Sequence, residues 1–187
     1  GITSPVTSSS FLIVAADALA KFDITATDDS NIGEQQAGTS FDIKITAKDG
    51  SDSNFTFSGN RTVTITSDGN IQKNGSSTSS FDVTIPGGSS SVQTSLAITS
   101  SGDTQIFADE GESISGTSNS FNVTPTDSVD ATQSTITADP TAITANGTST
   151  STITVQLKDQ FGNNKLSGGE SVELTTSNGT FNGGVTT

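Results

Sequence analysis

Asp49, Asp52 and Asn54 lie within one short turn, Lys48-Asp49-Gly50-Ser51-Asp52-Ser53-Asn54, and their side-chain oxygens are of the type that calcium takes as ligands. The spacing is not that of an EF-hand, and no glutamate follows where a bidentate ligand is needed. The alternative reading is a plain polar turn. Asp28, Asp29 and Asn31 form a second oxygen-rich turn, and Asp109, Glu110 and Glu112 a third, each open to the same two readings.

Other chemistries lack their residues. The chain has no Cys and no His, so thiol nucleophiles, imidazole bases and the usual zinc sites are excluded. Ser and Thr are abundant, but no SxxK pattern or histidine supplies an activating base. Acid–base work by paired carboxylates needs a pocket that raises one pKa, whereas the Asp and Glu residues fall at turns or on wet strand faces. No enzymatic activity and, calcium aside, no cofactor is expected. A covalent crosslink from Lys to Asn or Asp needs a buried lysine, and Lys44 and Lys48 alternate with Ile43, Ile45 and Ala47, which turns them outward. Six Asn-x-Ser/Thr sequons begin at Asn54, Asn60, Asn74, Asn122, Asn146 and Asn178; a composition this rich in Asn, Ser and Thr accounts for most of them.

Seven Lys plus Arg against 20 Asp plus Glu give a net charge of -13, which repels phosphate backbones and anionic membrane surfaces. Nucleic acid is not an expected partner, and neither is membrane insertion: the longest apolar run, Phe11 to Ala16, has the length of a strand. It has no basic leader before it, so a secretion signal or anchor is expected outside these residues. The acidic residues are scattered, as on a solvated surface that resists aggregation.

The elements that must carry these turns are strands. Phe22, Ile24 and Ala26 alternate with polar residues, as do Phe41, Ile43, Ile45 and Ala47. The pattern returns at Val63 and Ile65, at Phe81, Val83 and Ile85, at Leu96 and Ile98, at Ile106 and Ala108, and at Phe121 and Val123. Asp49-Gly50, Asp68-Gly69, Gly87-Gly88, Ser101-Gly102 and Glu110-Gly111 punctuate them, as suits short antiparallel strands. No apolar stripe has helical spacing. With only 29% hydrophobic residues and no disulfide, any core must be thin and held by packing alone.

The chain repeats itself. Lys48-Asp49 recurs as Lys158-Asp159, 110 residues later, and Ile43, Ile45 and Ala47 match Ile153, Val155 and Leu157. Gly69 and Ile71 match Gly179 and Phe181 at the same offset; Val63 and Ile65 match Val172 and Leu174 at 109. Ser10-Phe11 matches Ser120-Phe121. A period near 110 suits one immunoglobulin-like sandwich. The expected fold is therefore all-β, with tandem immunoglobulin-like Greek-key sandwiches out of phase with the chain: 1–16 is the last strand of a preceding repeat or a donor-type strand, 17–126 a complete sandwich, and 127–187 the first half of a second. Short linkers predict end-to-end stacking into a semi-stiff rod.

The segment from Ser134 to Phe181 resembles the opening strands of bacterial Ig-like domains of the invasin and intimin type. The marks are Ala145-Asn146-Gly147, Lys158-Asp159 with Gly162-Asn163, and Val172 to Thr175 before Ser177-Asn178-Gly179. The central domain, with AGTSFDIKITAKDG and GTSNSF, resembles the Ig-like repeats of large bacterial surface and S-layer-like proteins. The resemblance implies an extracellular, cell-surface structural unit of a fibre, surface layer or adhesin stalk. Its implied partners are other copies or neighbouring repeats, through strand or end-to-end contacts, and a host ligand held by a domain outside these residues. The alternative is an accessory carbohydrate-binding module of a secreted polysaccharide-degrading enzyme; the absence of Trp and Tyr, which usually stack on sugar rings, weighs against it.

Overall fold

Thr, Ile and Val recur through the extended segments, where their branched Cβ atoms favour pleated backbone. The computed structural model describes residues 18–111 and 114–181, and among them every regular element is a strand. The first group is β1 (Leu19–Thr25), β2 (Gln35–Gln36), β3 (Phe41–Asp49), β4 (Arg61–Ser67), β5 (Ile71–Lys73) and β6 (Ser76–Thr78). It is followed by β7 (Phe81–Ile85), β8 (Ser91–Ile98), β9 (Gly102–Thr104), β10 (Ile106–Asp109), β11 (Ser115–Thr117) and β12 (Phe121–Thr124). A hairpin of β13 (Thr135–Asp139) and β14 (Thr152–Gln156) comes last.

The strands assemble as β1-β3-β8-β5-β6 in one sheet, β11-β10-β4-β7 in a second, and β2-β12-β9 in a third. All pairings are antiparallel except β2 with β12, which run parallel with Gln35 beside Val123 and Gln36 beside Thr124. The sheets share one core. Phe22, Ile24, Ile43, Ile45, Ala47, Leu96 and Ile98 come from one side, and Val63, Ile65, Val83, Ile85, Ile106, Ala108, Phe121 and Val123 from the other. These are the alternating positions read from the sequence; Ala26, Phe41 and Phe81 of that set lie half-buried at the margin. Four residues from outside the alternation complete the core: Ile71 of β5, and Ile32, Ala37 and Phe57 from loops or loop edges. Where β1 passes β11, a Cβ on Gly116 would fall 2.0 Å from the Phe22 carbonyl oxygen, so only glycine permits that approach.

The hairpin repeats the first arrangement. Ile136 of β13 stands beside Val155 of β14, as Ile24 of β1 stands beside Ile45 of β3. Ile24 and Ile43 are buried, whereas Ile136 and Ile153 are 63% and 39% exposed, because the described residues after β14 form no second sheet over them. The strand expected at Phe11 to Val14 lies outside the described residues. No helix of the described residues is long and apolar enough to cross a membrane.

The register makes a direct test. Ile43→Asp places an unpaired carboxylate in the core and is expected to cost on the order of 4 kcal/mol. Lys44→Ala removes one ion pair, to Asp29 at 2.8 Å on the wet face, and is expected to cost about 0.5 kcal/mol or less. Denaturant melts of the two variants check this; equal losses would mean that the two faces of β3 are reversed.

Candidate functional site

The turn that closes β3 is organised by a buried carboxylate. Asp49 is the last residue of the strand, and its Oδ1 accepts the backbone N–H groups of Ser51 at 2.8 Å and Ser53 at 3.0 Å. Asp49 N–H reaches the Ser53 carbonyl at 3.0 Å, and Asp52 N–H returns to the Asp49 carbonyl at 3.1 Å. The left-handed backbone this needs falls on Asp52, at φ 68°. Asp is well suited to both roles: its short side chain reaches its own local N–H groups, and it tolerates positive φ.

The other two residues of the candidate calcium set are engaged as well. Asp52 pairs with Lys21 at 2.8 Å, and that ammonium holds its carboxyl below the usual carboxylate range. Asn54 accepts from Lys48 Nζ at 2.8 Å. In the second oxygen-rich turn Asp28 accepts both the hydroxyl and the N–H of Ser30, and Asp29 pairs with Lys44, while Asn31 lends its carbonyl to Ser30. In the third, Asp109 accepts Gly111 N–H and Glu110 lies 3.4 Å from Arg61 Nε; Glu112 lies outside the described residues. Beside the first two turns, the outer face of β1 and β3 forms a polar groove of about 350 Å³ lined by Asp23, Thr25, Asp29, Lys44, Thr46, Lys48 and Asn54. Its charges compensate one another within the groove. Among the sequon asparagines, Asn60 accepts Gly87 N–H, Asn122 donates to Glu34, and Asn146 caps Thr148 and Ser149.

The same turn is built a second time, 110 residues later. Asp159 Oδ1 accepts Phe161 N–H and Asn163 N–H, both at 2.9 Å. Asp159 N–H reaches the Asn163 carbonyl at 2.9 Å, and Gly162 N–H returns to the Asp159 carbonyl at 3.0 Å. The bridge between Lys48 and Asn54 recurs between Lys158 and Asn164, and the bond from Phe55 N–H to the Ala47 carbonyl recurs from Lys165 to Leu157. Position 52, Asp at positive φ in the first copy, is Gly162 in the second, at φ 85°.

Asp159 does more than Asp49. Its Oδ2 accepts Thr126 N–H at 3.0 Å and Asn163 Nδ2 at 2.9 Å, which ties the connector between the two units to the turn. Burial works to raise this carboxyl. The hydrogen bonds from the Asn163 side chain and from the N–H groups of Thr126, Asn163 and Phe161 outweigh it and hold the group below its usual range. Lys165 adds a second tie, donating to the carbonyls of Thr126 and Asp127. The sequence marked Lys158-Asp159 and Gly162-Asn163 as a pattern but assigned them no task. The isolated aromatic Phe161 in a polar turn was the available signal.

The sign of the Asp159 shift sets a pH dependence. A carboxyl that titrates near about 4 when unfolded and lower when folded stabilises the turn fully above that range, and the contribution is lost as pH falls through the folded value. Amide exchange at Phe161 and Asn163 is therefore expected to speed up, relative to the intrinsic rate, only in acid. In Asp159→Asn both amides are expected to exchange faster already at neutral pH, with the acid dependence gone. Unchanged protection in that variant would show that the carboxylate does not hold the turn.

Among curated proteins no match was found. Three solved structures are similar at low identity. The structure of invasin, described as a bacterial integrin-binding protein, matches 76% of this chain and 26% of its own length at 20% identity and a TM-score of 0.41. Domains 5–6 of the S-layer protein SbsC match 80% of this chain and 67% of theirs, at 20% identity and 0.37. An immunoglobulin-like protein from Pseudomonas aeruginosa matches 58% and 97%, at 15% identity and 0.30. The chain thus spans about a quarter of the invasin structure. A family model for invasin, domain 3, matches residues 130–187, the part that contains β13, β14 and the second Asp-centred turn. The resemblance read from Ser134 to Phe181 is thereby shown: residues 130–187 are similar to invasin domain 3.

Proposed function

We propose that the chain is a structural repeat segment of a bacterial extracellular surface protein, a fibre, surface layer or adhesin stalk, that spaces or assembles on the cell surface. The observation that carries this reading is the Asp-centred turn built bond for bond twice, 110 residues apart, at the end of equivalent strands. Two units of one design in tandem make an extended object, and an extended object without reactive side chains is suited to bear distance and load. Neighbouring repeats are its primary partners, and a host ligand belongs to a domain outside these residues. The match of residues 130–187 to invasin domain 3 supports the surface setting.

The phenylalanines support a structural use over sugar binding. Phe22, Phe57 and Phe121 are buried, Phe41 packs edge-on against Phe121 with ring centres 5.8 Å apart, and Phe55 against Phe57 at 5.2 Å. Turn oxygens are likewise used internally, and the reading assigns no cation to Asp49, Asp52 and Asn54.

Two measurements test the proposal. Antibody raised against residues 18–111 is expected to label intact, unpermeabilised producer cells, and the protein is expected to give no signal on a glycan array; labelling only after lysis, or specific glycan binding, overturns it. The melting temperature is expected to be the same in calcium and in chelator. A rise of several degrees with calcium, lost in Asp49→Ala, would make the first turn a cation site after all.

A further inference from the structure

The two copies of the turn differ where it matters for assembly. At the positions of Ser51 and Ser53, both exposed, the second copy carries Phe161 and Asn163. Phe161 packs against the core of the first unit. Its seat is Gly38: a Cβ there would lie 2.3 Å from the ring Cζ and 2.4 Å from Cε2, and Gly38 also has φ 73°. Glycine at this position thus serves both the backbone and the ring. Gly38 is itself held by the bond from its N–H to the Ile98 carbonyl at 2.8 Å, so the seat is part of the β-framework and not a loose loop.

Asn163 completes the contact with its whole amide. Its Nδ2 donates to the Thr99 carbonyl at 2.8 Å and to Asp159 Oδ2, and its Oδ1 accepts Ser101 N–H at 2.9 Å. Thr99 and Ser101 belong to the first unit, immediately after β8; Asp159 belongs to the second. One planar side chain therefore bonds both units, and rotating the amide by half a turn would oppose donor to donor and acceptor to acceptor at each bond. A serine at this position has one shorter hydroxyl with a single donor hydrogen and cannot make all three bonds.

From this geometry we infer that the Asp159–Asn163 turn is a lock. It recognises the pole of the preceding repeat formed by Gly38, Thr99 and Ser101 through one aromatic ring and one primary amide, and it makes the two units a single rigid body. The first copy, with Ser51 and Ser53, has the same backbone scaffold without the recognition groups. Stiffness along such an array is then set joint by joint, by two side chains carried on a turn whose backbone bonding is the same in both copies. The lock goes beyond the spacing role proposed above and does not depend on where the protein resides.

The absence of native cysteine allows a clean test in the full chain. Spin labels are placed by Thr62→Cys on β4 and Thr137→Cys on β13, both exposed, and the distance distribution between them is measured by pulsed electron resonance. The parent protein is expected to give one narrow peak. Phe161→Ser with Asn163→Ser restores the residues of the first copy while keeping both N–H bonds to Asp159, and is expected to abolish the narrow peak in favour of a broad distribution. Amide protection of β13 and β14 is followed in parallel, so that loss of the hairpin is not mistaken for release of the joint. Gly38→Ala, which obstructs the seat from the other side and leaves the turn's own sequence intact, is expected to give the same broadening with the hairpin protected. A broad distribution in the parent, or a narrow one that persists in both variants, overturns the lock.

Discussion

Everything in the central unit depends on apolar contact between the inner faces of strands that each contribute only two or three side chains. There is no disulfide, and none can form. The hydrophobic residues make up 29% of the chain, so the layer between the sheets is about one side chain deep from each side, with Ile43, Ile45 and Ala47 of β3 and Val63 and Ile65 of β4 at its centre. A core this thin tolerates no gap at its edges. Loop residues are therefore drawn in as plugs: Ile32, Ala37 and Phe57 are each as buried as the strand residues. Closure at β1 and β11 needs a glycine, since the backbones there approach closer than any side chain allows.

This division explains what could be read from the sequence. Alternation with period two reports which face of a strand is wet, and it located the buried positions of β1, β3, β4, β7, β8, β10 and β12 directly. It carries little information about loop residues that fold back into the core, because Ile32 has no alternating neighbour and the single pair Phe55 and Phe57 is too short to declare a strand. The two-residue strand β2 was illegible for the same reason. Its pairing with β12 is a long-range fact that no local pattern encodes.

The turns were harder because the same atoms answer to two readings. A carboxylate at a strand end looks like a ligand for a hard cation, and Asp49, Asp52 and Asn54 have the spacing of a loop that could gather one. In the folded chain these oxygens accept from N–H groups and ammonium groups. The repeat was the better guide, since Asp49 and Asp159 share a register and hence a role in the turn. It could not say that Phe161 and Asn163 face a neighbouring unit, because the residues they meet, at Gly38, Thr99 and Ser101, are more than sixty positions away in sequence.

The parallel run of β2 beside β12 sets how that pair is loaded when the ends of the unit are pulled apart. Tension from the N-terminal side meets β1, which pairs antiparallel with β3, before it reaches β2 from its N-terminal side, and tension from the other end reaches β12 from its C-terminal side. Because the two strands point the same way, the pulls oppose each other along the strand axis. The Gln35–Val123 and Gln36–Thr124 pairings, extended by the bond from Ala37 N–H to the Thr124 carbonyl at 2.8 Å, are loaded in shear and must give way together. An antiparallel terminal pair would instead be pulled from one shared end and would open bond by bond. Endurance under force is governed by the rate of unfolding and not by equilibrium stability. In a thin, disulfide-free sandwich, resistance to a steady pull therefore rests on this short ladder together with the β1–β3 pairing that precedes it along the chain.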